Sequence, residues 1–177
     1  MHFFSSKFKI GILGGGQLGK MLLFDSKRYD LHTKVMDPNK NAPCNNIADE
    51  FIVGNLNDYN DVINFGKLVD IITIEIENVN TDALEYLEKI GKKVFPPSRA
   101  IKIIQNKCEQ KAFYKSNNLP TSAFINYSSL SDLKEDLKKE NLKFPFVWKS
   151  AKFGYDGKGV KITVSYTHLR AHETRPN

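Results

Sequence analysis

Three groups of residues in this 177-residue chain have types and spacings that could do chemistry. The first lies in "ILGGGQLGKM", residues 12 to 21, where Gly14, Gly16 and Gly19 complete a GxGxxG pattern. Asp37 follows roughly 20 residues on, as a dinucleotide-binding fingerprint requires. A glycine turn between a strand and a helix N-terminus offers free backbone N–H groups and a positive dipole end, so it suits a phosphate of almost any kind. Glycines that serve only close helix–strand packing would give the same pattern.

The second group is "FGYDGKGV", residues 153 to 160. Gly154, Gly157 and Gly159 leave a loop free to fold over a ligand, and Lys158 adds charge where a triphosphate could sit. Lys149 stands just before it, at the end of an apolar strand, where a lone lysine either snorkels to water or meets an anion. A hairpin with a mobile tip is the other reading. The third group is Glu75 and Glu77 with Asn78 in "TIEIENV", at the carboxyl end of a strand where open α/β sheets bind ligands. Alternation along a strand sends both carboxylates to one face. They could equally be surface carboxylates. Lys107, in "QNKCEQK", reads by itself as an ordinary helix lysine.

These residues need elements to position them. Residues 8–13, 33–37, 49–54, 70–77 and 92–96 read as short buried or half-buried strands. Helices alternate with them over 17–27, 58–68 and 81–90. Leu18, Met21, Leu22 and Asp25 form one side of the first helix, Val62, Phe65 and Val69 the stripe of the second, and Thr81 is the N-cap of the third. This alternation predicts an open, mostly parallel, Rossmann-like α/β sheet with right-handed crossovers over residues 1–97. After Pro96 and Pro97 the pattern changes to helices over 98–104, 107–117 and 130–139 and strands at "PTSAFIN" (120–126) and "FPFVWKS" (144–150), followed by the glycine-rich turn and a further strand. A second, α+β domain is therefore expected from residue 98 to 163.

The composition, 41% hydrophobic and 26% charged, is that of an ordinary globular chain. No apolar run approaches the roughly 18 residues of a membrane span, and the opening "MHFFSSKFK" lacks a secretory signal's apolar segment, so a cytoplasmic location is expected. The net charge of +6 comes from dispersed lysines with no aromatic-interleaved basic patch, which argues against nucleic acid. Cys44 and Cys108 have neither disulfide nor metal spacing. Residues 164–177, "VSYTHLRAHETRPN", hold two of the four arginines and none of the 22 lysines. This segment resembles translated adaptor sequence and is expected to be of different origin, so His168 and His172 carry no metal expectation.

Four segments taken together resemble the N5-carboxyaminoimidazole ribonucleotide synthetase family, ATP-grasp ligases of purine biosynthesis. They are "GGGQLGKM" (14–21), "TIEIENVNTDALEYLE" (73–88), "FPPSRAIKIIQNKCEQKAFYKSNNLPTSAF" (95–124) and "FPFVWKSAKFGYDGKGVKI" (144–162). The resemblance implies a pre-ATP-grasp domain followed by the first part of an ATP-grasp domain. It also implies an activity in which ATP activates bicarbonate as carboxyphosphate, whose carboxyl group passes to the exocyclic amine of aminoimidazole ribonucleotide. By that resemblance Lys107 and Lys149 contact the nucleotide phosphates, with Lys149 and Lys158 catalytic, and Gly154, Tyr155, Asp156, Gly157, Lys158 and Gly159 close over ATP. Tyr155, Asp156 and Lys158 also meet the substrate; Gly16, Gln17 and Leu18 hold the ribonucleotide's phosphate side, and Glu77 or Glu75 its sugar or base. Asp37 becomes an ordinary strand-end residue.

The pattern is departed from at Asn106, where the family often has Asp, and at Lys158, where many members have Arg and its bidentate fork. Family members run to about twice this length and act as homodimers. Their magnesium-ligating acids lie beyond the matched segments, so Mg2+ is implied for the parent with no metal ligands here, and no turnover is expected from these 177 residues alone. Two alternatives share parts of the pattern. One is another ATP-grasp enzyme, such as the formate-dependent glycinamide ribonucleotide transformylase or a biotin carboxylase; the other is a nicotinamide-dependent oxidoreductase.

Overall fold

A computed structural model of the chain describes residues 7–152 and 159–165. It divides into two compact units, Met1–Gln105 and Asn106–Asn177.

In the first unit, β1 (Lys9–Leu13), β2 (His32–Asp37), β3 (Glu50–Val53), β4 (Ile71–Ile74) and β5 (Lys93–Phe95) alternate with α1 (Gln17–Arg28), α2 (Tyr59–Lys67), α3 (Thr81–Lys89) and α4 (Ser98–Gln105). The strands pair in parallel in the order β3-β2-β1-β4-β5. The order reverses direction beside β1, so the crevice at the carboxyl ends of β1 and β4 is the topological switch point. Pleating explains why adjacent apolar residues serve two cores. Ile12, Val35 and Phe51 join Leu23 of α1 on one face, while Leu13, Met36 and Ile52 join the α2–α4 side on the other. Gly66 lets α2 lie close on α3, since a Cβ there would stand 2.4 Å from Leu87 Cδ1.

Several sequence expectations are corrected. The buried face of α1 is Gly19, Leu23 and Ser26, while Leu18 and Met21 are 65% and 56% exposed. Apolar residues occur all round this helix, so its period alone selects no face; small residues turn inward where the helix lies close to the sheet. The N-cap of α3 is Asn80, whose Oδ1 accepts the Ala83 N–H at 2.9 Å, and Thr81 is the first helical residue. The strand β4 ends at Ile74 and residues 75–77 form a bend, so strand alternation does not govern the directions of Glu75 and Glu77.

Later than the composition change at Pro96, the first unit ends at Gln105, because α4 is bound to it. Glu88 of α3 accepts the Ser98 N–H at 2.8 Å and the Ser98 hydroxyl at 2.5 Å, and Ile101 is buried in the core.

The edge strand β3 is fixed by charge as well as ladder. Buried Lys34 pairs with Glu50, and Asp49 accepts from the Lys27 ammonium and from the Thr33 N–H and hydroxyl. Burial pushes the Asp49 carboxyl up, but these donors outweigh it and bring it from 3.8 down to about 2. A carboxylate depressed in the folded state stabilises it fully above the unfolded value, and that stabilisation is lost as pH falls from about 4 through about 2. The pair is partly exposed, so the loss should stay within about 1 kcal/mol. Urea midpoints at pH 5, 3 and 2 should fall more steeply for the wild-type chain than for Asp49→Asn.

The second unit contains α5 (Lys107–Ser116), α6 (Leu130–Lys138) and an antiparallel pair, β6 (Phe146–Lys149) with β7 (Val160–Thr163). The segment "PTSAFIN" is in neither sheet: it has the composition of a strand but no ladder partner among the described residues. No helix among the described residues is long and apolar enough to cross a membrane.

Candidate functional site

The glycine loop joins β1 to α1 at the switch point. Gly14 has φ +103°, a conformation that a side chain rarely adopts, and its N–H donates to Met36 O at 2.9 Å. Gly16 is the N-cap of α1, with no side-chain cap and no acidic residue in the first turn. Gln17 and Leu18 begin that helix and are exposed. The Glu75 carboxylate lies over the loop: a Cβ at Gly14 would stand 2.7 Å from Oε2, and one at Gly16 2.6 Å from Oε1. The Glu75 N–H donates to Leu13 O at 2.8 Å, which fixes the bend to the end of β1. Glu77 is exposed; its carbonyl and that of Val79 accept from Gln105 Nε2 at 2.7 and 2.8 Å. Of the two glutamates, Glu75 is the one brought to the glycines.

Sequence reasoning set aside two residues that bind this loop. Asp37 Oδ2 accepts the Gly15 N–H at 2.7 Å, so it is not an idle strand-end residue. Cys44 donates its N–H to Gly15 O at 3.0 Å and its thiol to Gly16 O at 3.6 Å. Burial, and then the charges of Glu75 and Asp37, push that thiol up to about 11, so it stays protonated and can serve as a donor. The position of Asp37 after the glycines was the available signal; Cys44 gave none. The loop therefore has a helix start open on one side and an acceptor-only carboxylate on the other. Such a pair can hold the acceptor oxygens and the donor hydroxyls or amine of one ligand.

The other site lies within the second unit. Lys107 and Lys149 both line one cavity of about 680 Å³, together with Lys111, Phe124, Tyr127 and Trp148. Lys107 opens α5, and its N–H donates to Ala151 O at 2.7 Å. Asn106, at a departure from the family pattern, caps that helix: its Oδ1 accepts the Cys108 N–H at 3.1 Å, as an aspartate would. Lys149 pairs with Val160 in the ladder, and the Ser150 N–H reaches Gly159 O at 2.8 Å, so lysine and Gly159 flank the glycine-rich turn. Lys111 donates to Thr121 and Ser122 and lies 5.5 Å from the Phe124 ring centroid, fixing the cavity's wall. Gly154, Tyr155, Asp156, Gly157 and Lys158 lie outside the described residues, as do His168 and His172. Lysines on the lining of an apolar, aromatic cavity match a phosphate-bearing ligand with a flat apolar part.

The sequence model of the ribonucleotide synthetase preATP-grasp domain matches residues 7–105. The chain belongs to the ribonucleotide synthetase preATP-grasp family. Its likeness to proteins of the family runs past that domain. It is 35% identical over 163 residues to the N5-carboxyaminoimidazole ribonucleotide synthase of Staphylococcus epidermidis, a match covering 90% of this chain and 42% of that protein. The N5-carboxyaminoimidazole synthetase of Staphylococcus aureus complexed with ADP superposes with a TM-score of 0.85 at 32% identity, over 94% of this chain and 44% of that one. The Aspergillus clavatus enzyme in complex with ADP and 5-aminoimidazole ribonucleotide gives 0.80 at 29%, over 95% and 44%. The chain thus spans less than half the length of these preATP-grasp relatives.

Proposed function

We propose that this chain carries the ribonucleotide-side loop and the first part of the nucleotide site of an N5-carboxyaminoimidazole ribonucleotide synthetase. The observation that carries the reading is the occurrence of both half-sites in one chain: Glu75 over the glycine loop at the switch point, and Lys107 with Lys149 on a single cavity. Relatives solved with ADP and with aminoimidazole ribonucleotide support it.

In this reading the ammonium groups of Lys107 and Lys149 hold the ATP phosphates, and charge moving between them is neutralised without reorganisation. A bicarbonate oxygen takes the γ-phosphoryl group of ATP with release of ADP, giving carboxyphosphate, and the carboxyl group then passes to the amine of the ribonucleotide with release of phosphate and a proton. The N–H groups at the start of α1, beside Gly16, Gln17 and Leu18, hold the ribonucleotide's acceptor oxygens, while Glu75 takes its donors. Tyr155, Asp156 and Lys158 meet both ligands when the turn Gly154–Gly159 closes. A homodimer and a cytoplasmic compartment belong to the same proposal. So does magnesium, which would supply positive charge at the phosphates; among the described residues no three His, Cys, Asp or Glu side chains come together to hold it.

Separate calorimetric titrations with a non-hydrolysable ATP analogue, aminoimidazole ribonucleotide and NADH test the reading. Binding of the first two and not the third is expected. NADH binding with no response to the ATP analogue would replace it with an oxidoreductase.

A further inference from the structure

We infer that Asp37 is a positioning residue for the ribonucleotide site, holding the glycine loop by Gly15 so that the N–H groups at the start of α1 face the ligand. The inference rests on the function just proposed. In a dinucleotide-binding sheet the acidic residue at this place is free to take a ribose hydroxyl. Here both oxygens are engaged: Oδ2 accepts the Gly15 N–H at 2.7 Å and Oδ1 accepts the Asn39 N–H at 2.7 Å. One carboxylate therefore ties the loop after β1 to the segment after β2.

The grip is two-sided, because Cys44 from the same segment donates to the carbonyls of Gly15 and Gly16. There is little slack, since a Cβ at Gly15 would stand 3.1 Å from the β-carbons of both Asp37 and Ala42. Two consequences follow for a ligand. The Gly15 N–H is withdrawn from it, which leaves recognition to the residues that open α1. Asp37 itself is withdrawn from a ribose, which removes the contact that selects dinucleotides. The two bonds use different oxygens, and an amide in the same place sets an NH2 donor where one of those oxygens accepts, so it keeps one of the two bonds in place but not both.

The test uses the 177-residue chain with Asp37→Asn, and Asn39→Ala as a comparison. Asn39→Ala removes the Asn39 acceptor of the Asn41 N–H, loosening the segment while leaving both bonds to Asp37 in place. Aminoimidazole ribonucleotide and an ATP analogue are titrated separately, and the Gly15 amide is followed by NMR. Asp37→Asn should bind the ribonucleotide at least tenfold more weakly, bind the ATP analogue unchanged, and shift the Gly15 amide upfield as its charged acceptor is lost. Asn39→Ala should keep ribonucleotide affinity within twofold. Wild-type affinity in Asp37→Asn, an equal loss in Asn39→Ala, or an Asp37→Asn chain that does not fold overturns the inference alone. A wild-type chain that binds no ribonucleotide overturns the proposed function, and the inference with it.

Discussion

Replacing Gly14 with alanine is expected to cost about 2 to 4 kcal/mol of folding stability and to abolish measurable ribonucleotide binding. Two effects add. At φ +103° any side chain is strained, at about 1 to 3 kcal/mol. The new methyl group would also stand 2.7 Å from Glu75 Oε2 and 3.1 Å from Ile76 Cγ2, and the carboxylate that must move is the one proposed to face the ligand. Gly91 separates the two effects, for it has φ +88° with nothing within 4 Å of a built Cβ. Gly91→Ala should carry the backbone strain alone. Urea unfolding of the two variants side by side reads the difference, and equal losses would mean that Glu75 does not press on the loop.

The second large effect is expected in the other unit. Lys149→Met or Lys107→Met should weaken binding of an ATP analogue about 10- to 100-fold, from the roughly 1.5 to 3 kcal/mol of a hydrogen bond to a charged group. Lys149 is on the last ladder rung before the glycine-rich turn, and Lys107 is on the first turn of α5; both line the 680 Å³ cavity. Methionine keeps the length and the apolar stem of each side chain, so packing changes little while the cation is lost. Lys143→Met is the comparison, because it removes the same charge from an exposed lysine that does not line the cavity. A similar loss of affinity in that variant would reduce the effect to net charge. Affinity for aminoimidazole ribonucleotide should not change in any of the three.

The layout of the sheet was legible because each strand is a short, β-branched or apolar run ended by a turn, and because helices separate the strands as far as Phe95 everywhere except between β2 and β3. The placing of Glu75 near the glycines followed from the same rule about strand ends. What failed was local detail that one sequence leaves balanced. Leu18, Met21 and Leu22 are as apolar as Leu23, yet it is Leu23 that packs on the sheet, with Gly19 and Ser26 on the same buried face. Thr81 and Asn80 are both good caps, and only the chain's path over Leu56 and Asn57 selects Asn80, whose N–H and Nδ2 reach their carbonyls. Asp37 was discounted because one ligand explained it and that ligand was rejected; its bond to Gly15 depends on two loops meeting. The segment 120–126 has the composition of a strand, but pairing is a property of two segments.

The attachment of α4 bears on how such a chain can be dissected at the gene level. A fragment stopped at Pro97, where the composition changes, would discard the donors that satisfy Glu88 and the carbonyls of Glu77 and Val79, and would uncover the pocket that Ile101 fills. Stopping at Gln105 keeps all of them. The eight residues of α4 are thus the natural terminus of any excised first unit, and its last side chain is the latch on the bend that carries Glu75.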